Sequence, residues 1–170
     1  MIRIRPFHVS ESWTMRRIMH DAVRTGAAGR YSAAQRAAWS PSARPPAGWD
    51  DRLADHITLV AEEVTPEADL PVGFGTIRRD GFLDLFFVTP AQMGKGAAGQ
   101  LYEALIAAVA THHPERLSAQ ASLYARPFLE RRGWSVIKAT DVERDGVTLP
   151  CFEMERRMQG VDAFPVSQRA

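Results

Sequence analysis

The sequence predicts a mixed α+β fold: one twisted, mostly antiparallel central sheet of six to seven strands, flanked by about four helices. Three observations carry the prediction. Asp80-Gly81 and Asp145-Gly146 each lie between apolar, β-rich runs, the strongest short-range hairpin signal. Met15, Ile18, Met19, Ala22 and Val23 form an apolar stripe at helical spacing near the start of the chain. A glycine-rich run, Gly94–Gly99, opens a second helix that carries Leu101, Leu105, Ala108 and Val109 on one face.

The elements follow in order. Residues 2–6 alternate and read as a strand stopped at Pro6. Ser10 suits the N-cap of the first helix, with Glu11 in its first turn and an end near Gly26. Ser32 and Gln35 fit a capping box that opens a short helix through Trp39, closed by Pro41. Residues 41–47 read as a stiff loop, and residues 49–54 as a helical turn or two. Residues 57–62 form a strand, and residues 72–79 pair with 82–88 across Asp80-Gly81, where both turn positions favour positive φ. The glycine-led helix ends at His112-His113-Pro114. Residues 117–121 are a short strand, and residues 125–132 a helix stopped by Gly133. Residues 134–140 and 147–156 make the last hairpin, and Pro150 inside it points to an edge or a bulge. One domain spans residues 1–158, with 159–170 expected as a loose tail.

Composition narrows the function. Lys and Arg number 21 against 20 Asp and Glu, a net charge of +1 that argues against a nucleic-acid partner. No apolar run reaches the ~18 residues of a membrane span, and the N-terminus has no apolar signal core. With the single Cys151 excluding an internal disulfide, a cytoplasmic location is expected. His8, His20 and His56 lack metal spacing, while His112 and His113 suit a helix C-terminus, so no metal is expected. Cys151 reads as a small buried residue rather than a reactive thiol.

QMGKGAAGQL is the most informative stretch. Gly94, Gly96 and Gly99 leave backbone N–H groups free to converge on an anion at a helix N-terminus, with Lys95 adding a full charge. A nucleotide-binding P-loop would need Lys-Ser/Thr after Gly99, where Gln100 stands. The three glycines meet the bare dinucleotide spacing G-x-G-x-x-G, yet LSAQA ends without the acidic residue that holds a ribose. Close packing of helix on strand is the remaining alternative.

Over residues 2–157 the chain resembles the GNAT superfamily of acyl-CoA-dependent N-acyltransferases, in its small single-domain bacterial form. VTPAQMGKGAAG is similar to the family's Gln/Arg-x-x-Gly-x-Gly/Ala motif, with Gly96 and Ala98 on the last two positions and Met93 on the Gln/Arg position. ASLYARPFLERRGW is similar to the family's A-x-x-F-Y-E-x-x-G-F helix, through Ala125, Phe128, Glu130, Gly133 and Trp134. The resemblance implies a GNAT-like fold and acetyl-CoA as co-substrate, its pyrophosphate held by the amides of Met93, Gly94, Lys95, Gly96 and Ala98, with Gly99 in the same cradle. It implies pantetheine between a splayed fourth and fifth strand, beside the main chain of Phe87 and Val88, with Ser122 and Phe128 near it. Ser122 stands where many relatives carry asparagine, and it equally suits a helix cap.

Acyl transfer to an amine needs a neutral nucleophile, donors for the developing oxyanion and a proton for the leaving thiolate. Strict alternation along FLDLFFV places Asp84, Phe86 and Val88 on one face, and Leu83, Leu85 and Phe87 on the other. Asp84 is then either a general base or a structural carboxylate held by an arginine. Leu129 occupies the family's tyrosine position, so Tyr124 is the candidate acid, unless it only packs at the helix start. Tyr31, Trp39, Trp49 and the proline-rich run 41–46 are candidates for the acceptor wall, as core or loop packing is too. The expected activity is acetylation of a small-molecule primary amine by direct attack on the thioester. The alternatives are a peptide or protein amine, or a CoA-binding sensor with little catalysis. A homodimer is left open.

Overall fold

The structure, a computed structural model, describes residues 1–158; the tail expected at 159–170 lies outside the described residues. Its strands are β1 (Ile2–Pro6), β2 (Ile57–Val64), β3 (Asp69–Ile77), β4 (Phe82–Val88), β5 (Arg116–Ser122), β6 (Ser135–Arg144) and β7 (Val147–Arg157). They form one sheet in the order β1-β2-β3-β4-β5-β7-β6. Neighbours are antiparallel except β4 and β5, which run parallel. The helices are α1 (Ser12–Arg24), α2 (Ala33–Trp39), α3 (Trp49–Ala54), α4 (Ala97–Ala110) and α5 (Ala125–Glu130).

Each face of the sheet has its own core. Leu101, Leu105 and Val109 of α4 pack on Ala61, Ile77, Leu83 and Leu117. On the other face, Met15, Ile18 and Val23 of α1 and Leu53 of α3 pack on Val60, Phe74 and Leu85. Each such buried side chain contributes about 1.5–3 kcal/mol. Glycine lets the layers close: a Cβ on Gly75 would sit 2.6 Å from Leu105 Cδ1. Glu62, buried on β2, is held by Arg3 of β1 at 2.7 Å and Arg5 at 2.6 Å, which fixes that edge.

Several local expectations change. His8, not Ser10, caps the chain before α1: its ring accepts from Ser10 N while Glu11 accepts from His8 N, closing a short 3-10 turn. The β3–β4 loop spans Arg78–Gly81, and only Gly81 has positive φ, at 93°. Arg78 N and Phe82 O bond at 2.9 Å, and Gly81 N closes on Arg78 O at 2.9 Å, so this is a four-residue loop. The β6–β7 turn does take the two-residue form, with Asp145 at 49° and Gly146 at 75°. Pro150 lies on an interior strand, β7, yet no ladder bond is lost. Its carbonyl accepts from Tyr31 Oη at 3.0 Å, so its nitrogen faces the same side, just past the point where β5 pairing stops at Ser122–Cys151.

The proline-rich loop is anchored onto α1. Arg16, buried on α1, donates to Ser40 Oγ at 3.1 Å and Ser42 O at 2.5 Å. Burial lowers the pKa of this guanidinium, and carbonyl and hydroxyl oxygens replace part of its lost hydration.

Candidate active site

The site begins where two strands part. The parallel β4–β5 pairing holds only at Phe82–Ser118 and Leu83–Ala119. Beyond Leu83, one edge of β4 has no β5 partner. Leu85 N donates to Thr76 Oγ1 at 3.1 Å and Thr89 N to Val72 O at 2.8 Å, so both face β3. Two-residue periodicity then turns Phe87 toward β3 and leaves the main-chain groups of Phe86 and Val88 on the open edge. The Val88 main chain therefore lies on that edge. Phe87 does not: its main chain belongs to the β3 ladder, and Phe86 takes its place at the opening.

A bulge sets this phase. Thr76 pairs with Leu85 and Ile77 with Leu83, which leaves Asp84 as the extra residue. The strict alternation expected for β4 fails there. Leu83 and Phe86 join the α4–α5 side, with Phe86 and Phe128 rings 5.4 Å apart. Leu85 and Phe87 join the α1 side. Asp84 turns toward α3, where Arg52 meets it from Nε to Oδ2 at 2.6 Å and from Nη2 to Oδ1 at 2.7 Å. This pair raises the pKa of Arg52, mainly through the hydrogen bond and against the effect of burial.

Two chambers meet at this opening. One, of about 250 Å³, runs past Val88, Met93, Gly94, Ala98, Tyr124 and Phe128. The other, of about 200 Å³, runs past Arg52, Asp84, Val142, Arg144, Leu149 and Cys151. Trp39, Phe86, Phe87, Ser122 and Ala125 line both.

The glycine turn heads the first chamber. Gly94 has φ of 76° and Gly96 of 94°, conformations that glycine adopts without strain. A Cβ on either would meet nothing within 4 Å, so the turn faces open space. Met93 N bonds Pro90 O at 3.3 Å and Lys95 N bonds Gln92 O at 3.1 Å, so these two amides serve the loop itself. Those of Gly94, Gly96 and Ala98 take no partner among the described residues, nor do the first-turn amides of Ala97 and Gly99. Their convergence at the N-terminus of α4 suits a diphosphate. Arg132 adds a cation that the sequence reading missed. Its guanidinium lies 3.7 Å over Phe128 and 3.2 Å from the Cβ position of Gly99.

Residues 27–157 match the family described as Acetyltransferase (GNAT) domain. The chain belongs to the GNAT acetyltransferase family. It is thus an acyl-CoA-dependent N-acetyltransferase. It is 30% identical over 158 residues to the uncharacterized N-acetyltransferase YafP of Escherichia coli K12, covering 93% of this chain and 97% of that one. A GCN5-related N-acetyltransferase from Rhodopseudomonas palustris superposes with a TM-score of 0.83 at 25% identity, over 92% of this chain and 95% of that one. PaiA N-acetyltransferase from Thermoplasma acidophilum, solved with coenzyme A, superposes at 0.69 with 14% identity, over 93% and 99%.

Within this GNAT domain the other candidates sort clearly. Trp49 does not line the acceptor wall. It is 3% exposed in the α1–α3 core, its Nε1 donating to Ser12 O at 3.0 Å. The run 41–46 lines neither chamber, being drawn onto Arg16. Tyr31 borders the second chamber, but its hydroxyl is spent: it donates to Pro150 O and accepts from Leu123 N at 2.9 Å. Burial raises its pKa. Trp39 stands at the junction, edge-on to Tyr31 at 5.3 Å and to Phe87 at 6.3 Å. Ser122 Oγ accepts from Ala125 N at 3.0 Å, a helix-start bond. Tyr124 lines the first chamber beneath the Arg30 guanidinium, 5.2 Å from its ring. Leu129 is 1% exposed. Cys151 is buried, which raises its thiol pKa and fits an inert side chain. Among the described residues no group of three or more His, Cys, Asp or Glu could hold a metal, and no helix is long and apolar enough to cross a membrane.

Proposed function

We propose that this enzyme acetylates the primary amine of a small molecule by direct attack on acetyl-CoA. The carrying observation is the meeting of the two chambers at the unpaired edge of β4, beside Phe86 and Val88. Acetyl-CoA supplies the thioester acetyl group. The free amides of Gly94, Gly96 and Ala98, with those of Ala97 and Gly99, would hold its diphosphate, and Arg132 would add charge beside them. The open space over Gly94 and Gly96 fits that group.

The N–H groups of Phe86 and Val88 on the open edge are the donors proposed for the developing oxyanion. Asp84 borders the second chamber and is proposed to take the amine proton directly or through water. The two Arg52 bonds use one lone pair on each of its oxygens and leave the others available. Tyr124 is the proposed proton donor to the thiolate. The walls of the second chamber, from the α1–α2 side and the β6–β7 hairpin, support a small acceptor over a protein segment.

A thiol-release assay with a panel of amines tests the proposal. Release of free CoA with at least one small amine is the expected result. Acetyl-CoA binding without release from any amine would instead leave a sensor.

A further inference from the structure

The second chamber is lined by three charged side chains: Arg52, Asp84 and Arg144. Arg52 and Asp84 neutralise one another through two bonds. Arg144 is different. It closes β6, exposed, where it pairs in register with Val147. Its guanidinium has no hydrogen bond, ion pair or ring contact among the described residues, although Glu143 and Asp145 are its chain neighbours. Glu143 instead bonds Thr148 Oγ1. The chamber thus ends in an unopposed cation.

Beside Arg144 the wall is apolar. Val142 and Leu149 face each other in register between Arg144 and Cys151, and Met19 and Trp39 also line the chamber. Among the described residues that line the chamber, the only carboxylate is Asp84, already paired with Arg52. A polycationic acceptor would gain nothing there and would be repelled by Arg144. An anionic group would gain a partner whose planar fork suits a carboxylate.

Resting on the function proposed above, we infer that the acceptor is an amino-carboxylate: its amine lies at the β4 opening, its carboxylate on Arg144, and its apolar body on Val142 and Leu149. From Cys151 to Val147, β7 advances about 13 Å, so the separation of amine and acid is itself a readout.

The experiment compares kcat/KM for matched acceptors, with acetyl-CoA saturating. ω-Amino acids of rising length are set against the corresponding alkylamines. The acids are expected to lead by about tenfold or more, with one chain length best. Arg144→Gln is expected to cut that preference about tenfold, mainly through KM of the acid, and Arg144→Lys to retain more of it. Arg144 is exposed, so neither variant threatens the fold. Equal or better turnover of the amines lacking an acid overturns the inference and leaves the catalytic reading standing. So does an undiminished preference in Arg144→Gln. Absence of thiol release with every acceptor overturns the catalytic reading, and the inference with it.

Discussion

Arg52 meets Asp84 through two parallel bonds of 2.6 and 2.7 Å, joining α3 to the one residue that β4 bulges outward. The pair faces the second chamber, and the Asp84 side chain keeps 14% exposure against 45% for Arg52. A carboxylate clamped in this way is fixed in direction, which a base needs as much as basicity.

Asp84→Asn preserves the shape and one Arg52 bond but removes the base. Turnover is expected to fall about 10²-fold or more, with acetyl-CoA affinity unchanged. Arg52→Gln should cost less, because the base survives but loses its hold. The double variant should be no slower than Asp84→Asn alone, since the two side chains act as a unit. Steady-state kinetics of the three variants measure this. An Asp84→Asn enzyme with full turnover would return Asp84 to a structural role.

The glycine turn was legible because its signal is local. Positive φ at Gly94 and Gly96 demands glycine, and the helix that follows announces itself by Leu101 and Leu105. The Asp84 bulge was not legible. FLDLFFV contains no glycine or proline to mark it, and the hydroxyl that stabilises it comes from Thr76 on another strand. Arg52 was hidden for a related reason: 32 residues separate it from Asp84, and only α3 packing brings them together. Trp49 misled because an aromatic beside a proline-rich loop looks like a binding rim. Arg16 draws that loop down, and the indole becomes core.

Thr76 tests the bulge directly. Its side chain is fully buried, and its hydroxyl accepts the Leu85 amide where the ladder is interrupted. Thr76→Val keeps the volume and strands that amide, at a cost of about 1–3 kcal/mol. Chemical denaturation should show this loss, and Thr76→Ser should recover most of it. Turnover should fall as well, because the bulge sets which β4 amides face the opening. A Thr76→Val protein with unchanged stability and rate would show that the bulge holds without this bond.

Gly96 separates conformation from binding. At φ of 94°, an alanine is strained by about 1–2 kcal/mol, although its Cβ would meet no protein atom. The same Cβ would project into the space assigned to the diphosphate. Gly96→Ala should therefore lower Tm modestly and weaken coenzyme A binding by about tenfold or more, roughly one lost charge-assisted bond. Calorimetric titration reads the second effect. Loss of stability with full coenzyme affinity would move the diphosphate away from this turn.

Leu129, 1% exposed and apolar, cannot protonate a thiolate, which leaves the task to Tyr124 or to water. Tyr124 borders the first chamber at the start of α5, and its hydroxyl would lie only 2.7 Å from a Cβ at Gly29. Two variants thus reach the same group. Tyr124→Phe deletes the proton, and Gly29→Ala pushes the hydroxyl aside without changing its chemistry. Both should lower kcat about tenfold or more while leaving the dissociation constant of acetyl-CoA as it was. A solvent-isotope effect on kcat should shrink or grow in both, as the proton in flight changes source. If Tyr124→Phe turns over at the original rate, the leaving thiolate takes its proton from water, and Tyr124 is a wall of the chamber only.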